Sequence, residues 1–272
     1  MPTWILTLLL GLQSSASQRV APRHYPAFDT TDVVPFPFDD ARLLDPRHHD
    51  AGGVWVTPNA RPGDALPLFI YLHGLNRARI PRRWLHGSHW DLRTIVGPMV
   101  ADGLLGPMAV AVPTTTGDSA QQERTIYPTF DVAAFVEAAD RALAPQGFHI
   151  DRSRVIFTAH SASGCALRNG LFAGVGSPAV QTVLDIDCCM SAPFARVLAS
   201  APPWQRVIVV YQDWMWRRGY NDFSRTFLTL SARSPNPDMR VLEYWRMRGI
   251  DVHNDIVPIA LRRWLPELVP AP

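Results

Sequence analysis

Ser161 has the neighbours that a nucleophile needs. The apolar run Val155 to Ala159 leads into Ala159-His160-Ser161-Ala162-Ser163-Gly164, and a helical pattern starts straight after. A strand that turns sharply into a helix presents one hydroxyl at its tip. The N–H groups at the helix start then lie where an oxyanion would develop. So tight a turn leaves no room for large side chains two residues before and after the serine, and its usual pattern is G-x-S-x-G. Here Ala159 and Ser163 hold the two glycine positions.

Two further segments could complete the chemistry. The apolar stretch Leu66 to Leu72 ends in His73-Gly74-Leu75-Asn76, where glycine lets the backbone turn toward a ligand. Leu75, or Gly74, could supply a second N–H beside that of Ala162. His253 lies in Gly249-Ile250-Asp251-Val252-His253-Asn254-Asp255, ahead of the last helical pattern, which Asn254 or Asp255 could cap. A neutral imidazole there could take the Ser161 proton and return it to a leaving group. All 26 basic residues are arginine, and the chain has no lysine. That excludes a Schiff-base lysine, a pyridoxal-phosphate anchor, a P-loop lysine and a Ser-Lys dyad, and leaves His253 as the base.

A carboxylate must hold the imidazole and stabilise its cation. Asp213 follows the apolar run Val207 to Tyr211. Asp187 closes Leu184-Asp185-Ile186-Asp187-Cys188. Two carboxylates in a buried strand are costly unless paired, so Asp187 needs a reason to be there. Both residues remain candidates.

The elements that must position these groups are legible as alternating strands and helices. Strands are expected at Val54 to Val56, Leu66 to Leu72, Met108 to Val112, Val155 to Ala159, Val183 to Cys189, Val207 to Tyr211 and Val241 to Trp245. Helical spacing is expected from Leu92 to Gly103, after Ser161, and over Phe130 to Leu143, Tyr220 to Leu230 and Ile256 to Leu265. The gap between the strands at Val183 and Val207 is short, and no connection is long enough for a lid domain. Such alternation predicts an α/β fold with a mostly parallel, doubly wound sheet and helices on both faces.

Taken together, the serine elbow, the His-Gly strand end and the late histidine resemble the α/β-hydrolase superfamily, over roughly residues 53–266. The likeness is greatest to small secreted esterases and depolymerase-like lipolytic hydrolases that lack a large cap. It implies about eight strands and the chain order Ser…Asp/Glu…His. Matched here, it gives Ser161 as nucleophile and His253 as base, with a small-molecule or polymeric ester as substrate and no cofactor. The resemblance most often sets the acid after the strand at Val207, which points to Asp213. A minority use the preceding strand, which points to Asp187. Trp84, Trp90, Trp214 and Trp216, with Thr115 and His160, are expected to border the substrate pocket.

The other patterns are weaker. His48-His49, His73, His86 and His89 lack metal-protease spacing such as H-E-x-x-H, and no metal is expected. Cys165, Cys188 and Cys189 form no disulfide framework and read as small buried hydrophobes, with a link from Cys165 to Cys188 or Cys189 left open. Hydrophobic residues make up 47% of the 272, charged residues 18%, and the net charge is +2, which suits a packed core and gives no basic stripe for nucleic acid. The apolar run Trp4 to Leu12, followed by small residues near Ala16, reads as a signal peptide over 1–16, although Met1-Pro2-Thr3 lacks the usual positive side chain. Residues 17–52 then read as an extended segment and 53–272 as a single domain. The expected location is secreted or periplasmic, otherwise cytoplasmic, with no membrane span after signal cleavage.

Overall fold

The computed structural model describes residues 32–38, 52–76, 80–87, 90–114, 127, 130–167, 169–213, 219–248 and 251–272. The expected signal segment, Thr115, Trp214, Trp216, His48, His49 and His89 lie outside them.

Eight strands form one sheet: β1 (Val34–Phe36), β2 (Gly52–Val56), β3 (Ala65–Leu72), β4 (Ala109–Pro113), β5 (His149–His160), β6 (Thr182–Ile186), β7 (Arg206–Gln212) and β8 (Arg240–Trp245). Their order is β1-β2-β4-β3-β5-β6-β7-β8. Strands β3 to β8 run parallel, while β1 and β2 pair antiparallel at one edge.

The helices are α1 (Leu92–Ala101), α2 (Val132–Leu143), α3 (Ala192–Ala199), α4 (Tyr220–Ser231) and α5 (Val252–Leu268). Because successive strand residues point to opposite faces, each apolar strand feeds two cores. Leu66, Leu68, Ile70 and Leu72 of β3 join Val155, Phe157, Val207 and Val209 in one cluster, with Phe135 of α2, Leu198 of α3 and Phe223 of α4. Phe69 and Tyr71 join Ile156, Leu184, Ile208 and Val210 in the other, with Val96 of α1 and Leu261 of α5. Burial on both faces explains why these strands read as unbroken apolar runs.

Several boundaries differ from expectation. The strand expected to reach Cys189 stops at Ile186, because Asp187 turns to φ 51°. The short gap after it holds α3. The segment after Ser161 forms a 3-10 turn over Ser161–Gly164, then a second over Gly170–Ala173, and no α-helix. Val34–Phe36 adds an edge strand that has no period in the sequence, and Phe36 and Phe38 bury against Phe135 of α2.

In a parallel sheet, every strand delivers the residue after it to the same edge. Chain direction across the sheet reverses between β3 and β5, since β3 is followed outward by β4 on one side and β5 by β6 on the other. The crevice above that reversal is where open α/β sheets bind ligands. Gly74 follows β3 there, and Ser161 follows β5.

Candidate active site

Ser161 stands at the tip of the elbow with φ 63°. A left-handed conformation is costly for a residue with a side chain, and its surroundings must hold it in place. Ser163 supplies part of that hold. Its hydroxyl accepts the His160 N–H at 3.2 Å and lies within hydrogen-bond range of the Leu72 and His160 carbonyls, at 3.0 and 2.8 Å. A serine at the second glycine position is therefore a tie between the elbow and β3. The tight packing falls elsewhere. A side chain on Gly74 would meet Ser161 Cβ at 2.6 Å, and one on Gly164 would meet Cys188 Sγ at 2.4 Å.

His253 sits in the first turn of α5, whose N-cap position is Asp251 and not Asn254 or Asp255. Its Nε2 lies 2.7 Å from Ser161 Oγ, and its Nδ1 lies 2.5 Å from Asp187 Oδ2. The carboxyl is fully buried, while the imidazole is 20% exposed and so can be reached from outside. With Nδ1–H donating to Asp187, Nε2 carries the lone pair that accepts the Ser161 hydroxyl proton.

The geometry selects Asp187 over Asp213 as the imidazole's partner. Asp187 leaves β6 in a left-handed turn, fixed by its N–H donating to the Val210 carbonyl at 2.7 Å. Gln212, the last residue of β7, donates Nε2–H to Asp187 Oδ2 at 2.9 Å and its backbone N–H to Oδ1 at 3.3 Å. Asp213 lies one residue further on and bonds the Tyr244 hydroxyl instead. Gln212 went unnoticed in the sequence, although a polar residue closing an apolar strand was a signal of the same kind as Asp187.

The strand-end backbone beside Ser161 is also pinned. His73 is buried and donates Nδ1–H to the Gly74 carbonyl at 2.7 Å; burial depresses its pKa to about 3, so the ring is neutral. Arg83 donates to the Leu75 carbonyl. Asn76 grips Ile80 through both ends of its amide, at 2.8 and 3.0 Å. The chain at Gly74 and Leu75 is thus held against Ser161.

His160 is not a pocket residue. It is 2% exposed, and burial holds its pKa well below the ordinary histidine range. One side of its ring faces His253, with centroids 4.5 Å apart, and Trp84 stands edge-on at 6.0 Å. Trp90 lies against Trp84 at a tilt, with centroids 5.9 Å apart.

Cys165 and Cys189 are joined by a disulfide, one of the two links left open by the sequence, and the reading of all three cysteines as plain buried hydrophobes holds for Cys188 alone. Only Cys188 is free, and it is buried against Gly164. The bridge fastens the segment four residues after Ser161 to the segment two residues after Asp187. Among the described residues, no three His, Cys, Asp or Glu side chains gather as a metal site, and no helix is long and apolar enough to cross a membrane.

Sheet order, strand direction and the serine elbow together are those of the α/β-hydrolase fold. Solved structures with this architecture include a thermostable esterase, at 16% identity and TM-score 0.54, matched over 88% of this chain and 62% of that one. A ferulic acid esterase matches at 15% identity and TM-score 0.56, over 87% and 96% of the two chains. The feruloyl esterase module from Clostridium thermocellum matches at 14% identity and TM-score 0.52, over 88% and 95%. The chain therefore spans under two thirds of the thermostable esterase but nearly the whole of the other two. No protein-family model matches the sequence, and no curated protein does.

Proposed function

We propose that this protein is a serine hydrolase that cleaves carboxylic esters through an acyl-serine intermediate. The observation that carries it is the unbroken line Ser161 Oγ–His253–Asp187, with contacts of 2.7 and 2.5 Å. His253 Nε2 takes the Ser161 proton as Oγ attacks the ester carbonyl. The tetrahedral oxyanion is received by the N–H of Ala162 and the backbone N–H of Leu75, with Gly74 next to it. His253 then protonates the departing alkoxide. In the second half it takes a proton from water as the water oxygen attacks the acyl carbonyl, then returns that proton to Ser161 Oγ as the Oγ–acyl bond breaks and the acid leaves. Asp187 keeps the proton on Nδ1 and offsets the charge of the imidazolium throughout. No cofactor is needed for any step.

The ester class is supported by the three esterase structures that share the fold. Export is supported by the apolar run Trp4 to Leu12 and by the Cys165–Cys189 disulfide, since such bonds persist in oxidising compartments. The test is hydrolysis of a chain-length series of aryl esters by the native protein and by Ser161→Ala. Turnover should vanish in the variant while its circular dichroism is unchanged. Undiminished turnover would overturn the assignment.

A further inference from the structure

We propose that His160 is a positioning residue for the base: its Nε2–H holds the backbone carbonyl of His253 and so sets where the imidazole stands. The proposal rests on the acyl-transfer chemistry assigned to Ser161 and His253, and it adds a residue that never touches the substrate.

Three observations converge. His160 Nε2 lies 2.7 Å from the His253 carbonyl oxygen, across 93 residues of sequence. A carbonyl can only accept, so Nε2 must carry the hydrogen. The His160 side chain also sits in the capping-box position over the backbone N–H of Ser163, within the elbow itself. A neutral ring that donates from Nε2 is the Nε2–H tautomer, with its lone pair on Nδ1. Burial, with His253, Arg83 and His73 close by, keeps the ring neutral.

The consequence is mechanical. His253 lies in the first turn of α5, and the first turn of a helix is its least constrained part. A first-turn carbonyl still has a lone pair to spare after accepting its helical bond, and His160 uses it. The same ring is fixed through Ser163 to the turn that carries Ser161. The nucleophile and its base, brought together from β5 and α5, are thereby fixed to one rigid plate. The close, tilted contact of the two rings, 4.5 Å between centroids and 37° between planes, limits movement of the imidazole as well.

Two variants separate the donor from the ring. His160→Gln carries an amide N–H on a chain of similar reach, whereas His160→Phe keeps a flat ring and loses the donor. The expected result is a kcat within a few-fold of native for Gln. For Phe, kcat should be about 10- to 100-fold lower, the scale of a small misplacement of a catalytic group, with KM little changed. Equal losses in the two variants, or native kcat in Phe, would overturn the proposal. A second measurement needs no turnover: the imidazole 15N spectrum of the native protein should show His160 as the Nε2–H tautomer from pH 5 to 8. A His160 that is cationic at pH 6, or protonated on Nδ1 alone, sinks the proposal. Loss of turnover in Ser161→Ala tests the acyl-transfer chemistry separately, so failure of one is not mistaken for failure of the other.

Discussion

Ser161 and Asp187 are the first residues beyond the paired ends His160 and Ile186 of neighbouring parallel strands, and both are left-handed, at φ 63° and 51°. Register thus delivers the proposed nucleophile and the proposed acid to the same height on adjacent strands. The two turns aim their side chains at the same imidazole, which arrives from the start of α5.

The carboxylate assignment is directly testable. Asp187→Asn should lower kcat by about 10³- to 10⁴-fold, because an amide there cannot hold the imidazole in the right tautomer or offset its charge. Asp213→Asn, which touches Tyr244, should stay within roughly threefold of native, as surface polar changes usually do. Steady-state kinetics on one aryl ester decides it, and equal mild losses would mean that neither carboxylate is the partner.

Much of this was legible in the sequence, and the misses have physical causes. Apolar runs marked β3, β5 and β7 because both sheet faces are covered, and β6 showed through the same run despite the buried Asp185. Neighbours and order alone single out Ser161 and His253, whose side chains stand 2.7 Å apart in the structure. They do not choose the carboxylate, because Asp187 and Asp213 each follow a strand and only the imidazole's position in space distinguishes them. His160 was read as a pocket residue, since nothing local reveals a partner 93 residues away. The missing helix after Ser161 follows from constraints that arrive from β6: Cys188 packs against Gly164, and Cys189 bonds Cys165.

Gly74 should tolerate no side chain. A Cβ there would fall 2.6 Å from Ser161 Cβ and 3.0 Å from its Oγ, so the oxyanion backbone or the nucleophile must move. Gly74→Ala should cost about 100-fold in kcat, the scale of losing one oxyanion donor. Thermal unfolding should shift by only a few degrees. Native kcat in this variant would place the oxyanion site elsewhere.

Asp185 should make stability depend on pH. Burial raises its carboxyl from 3.8 to about 7, so the folded protein keeps a proton that the unfolded chain releases. The stabilisation is therefore full below about pH 4 and is lost as pH rises to 7 and above, a swing of about 4 kcal/mol. Asp185→Asn can still accept the Cys188 N–H and should lack this component. Urea unfolding of both proteins from pH 4 to 8 should show their stabilities diverging with rising pH in favour of the variant. Parallel curves would refute it.

The disulfide closes a loop of 24 residues between the elbow and the acid turn. A Cys165→Ala, Cys189→Ala double variant should lose about 3 kcal/mol of unfolding free energy. Native protein under reductant should match it in urea melts. Identical melts with and without the bond would show that the bridge contributes nothing to stability.

The central claim is that Ser161 is an activated nucleophile, and active-site phosphonylation tests it most directly. Native protein treated with a fluorophosphonate and mapped by peptide mass spectrometry should carry a single adduct, on Ser161. The adduct should be absent from Ser161→Ala and formed far more slowly in His253→Ala. A folded native protein that never labels, or one that labels at another residue such as Ser163, would contradict the account.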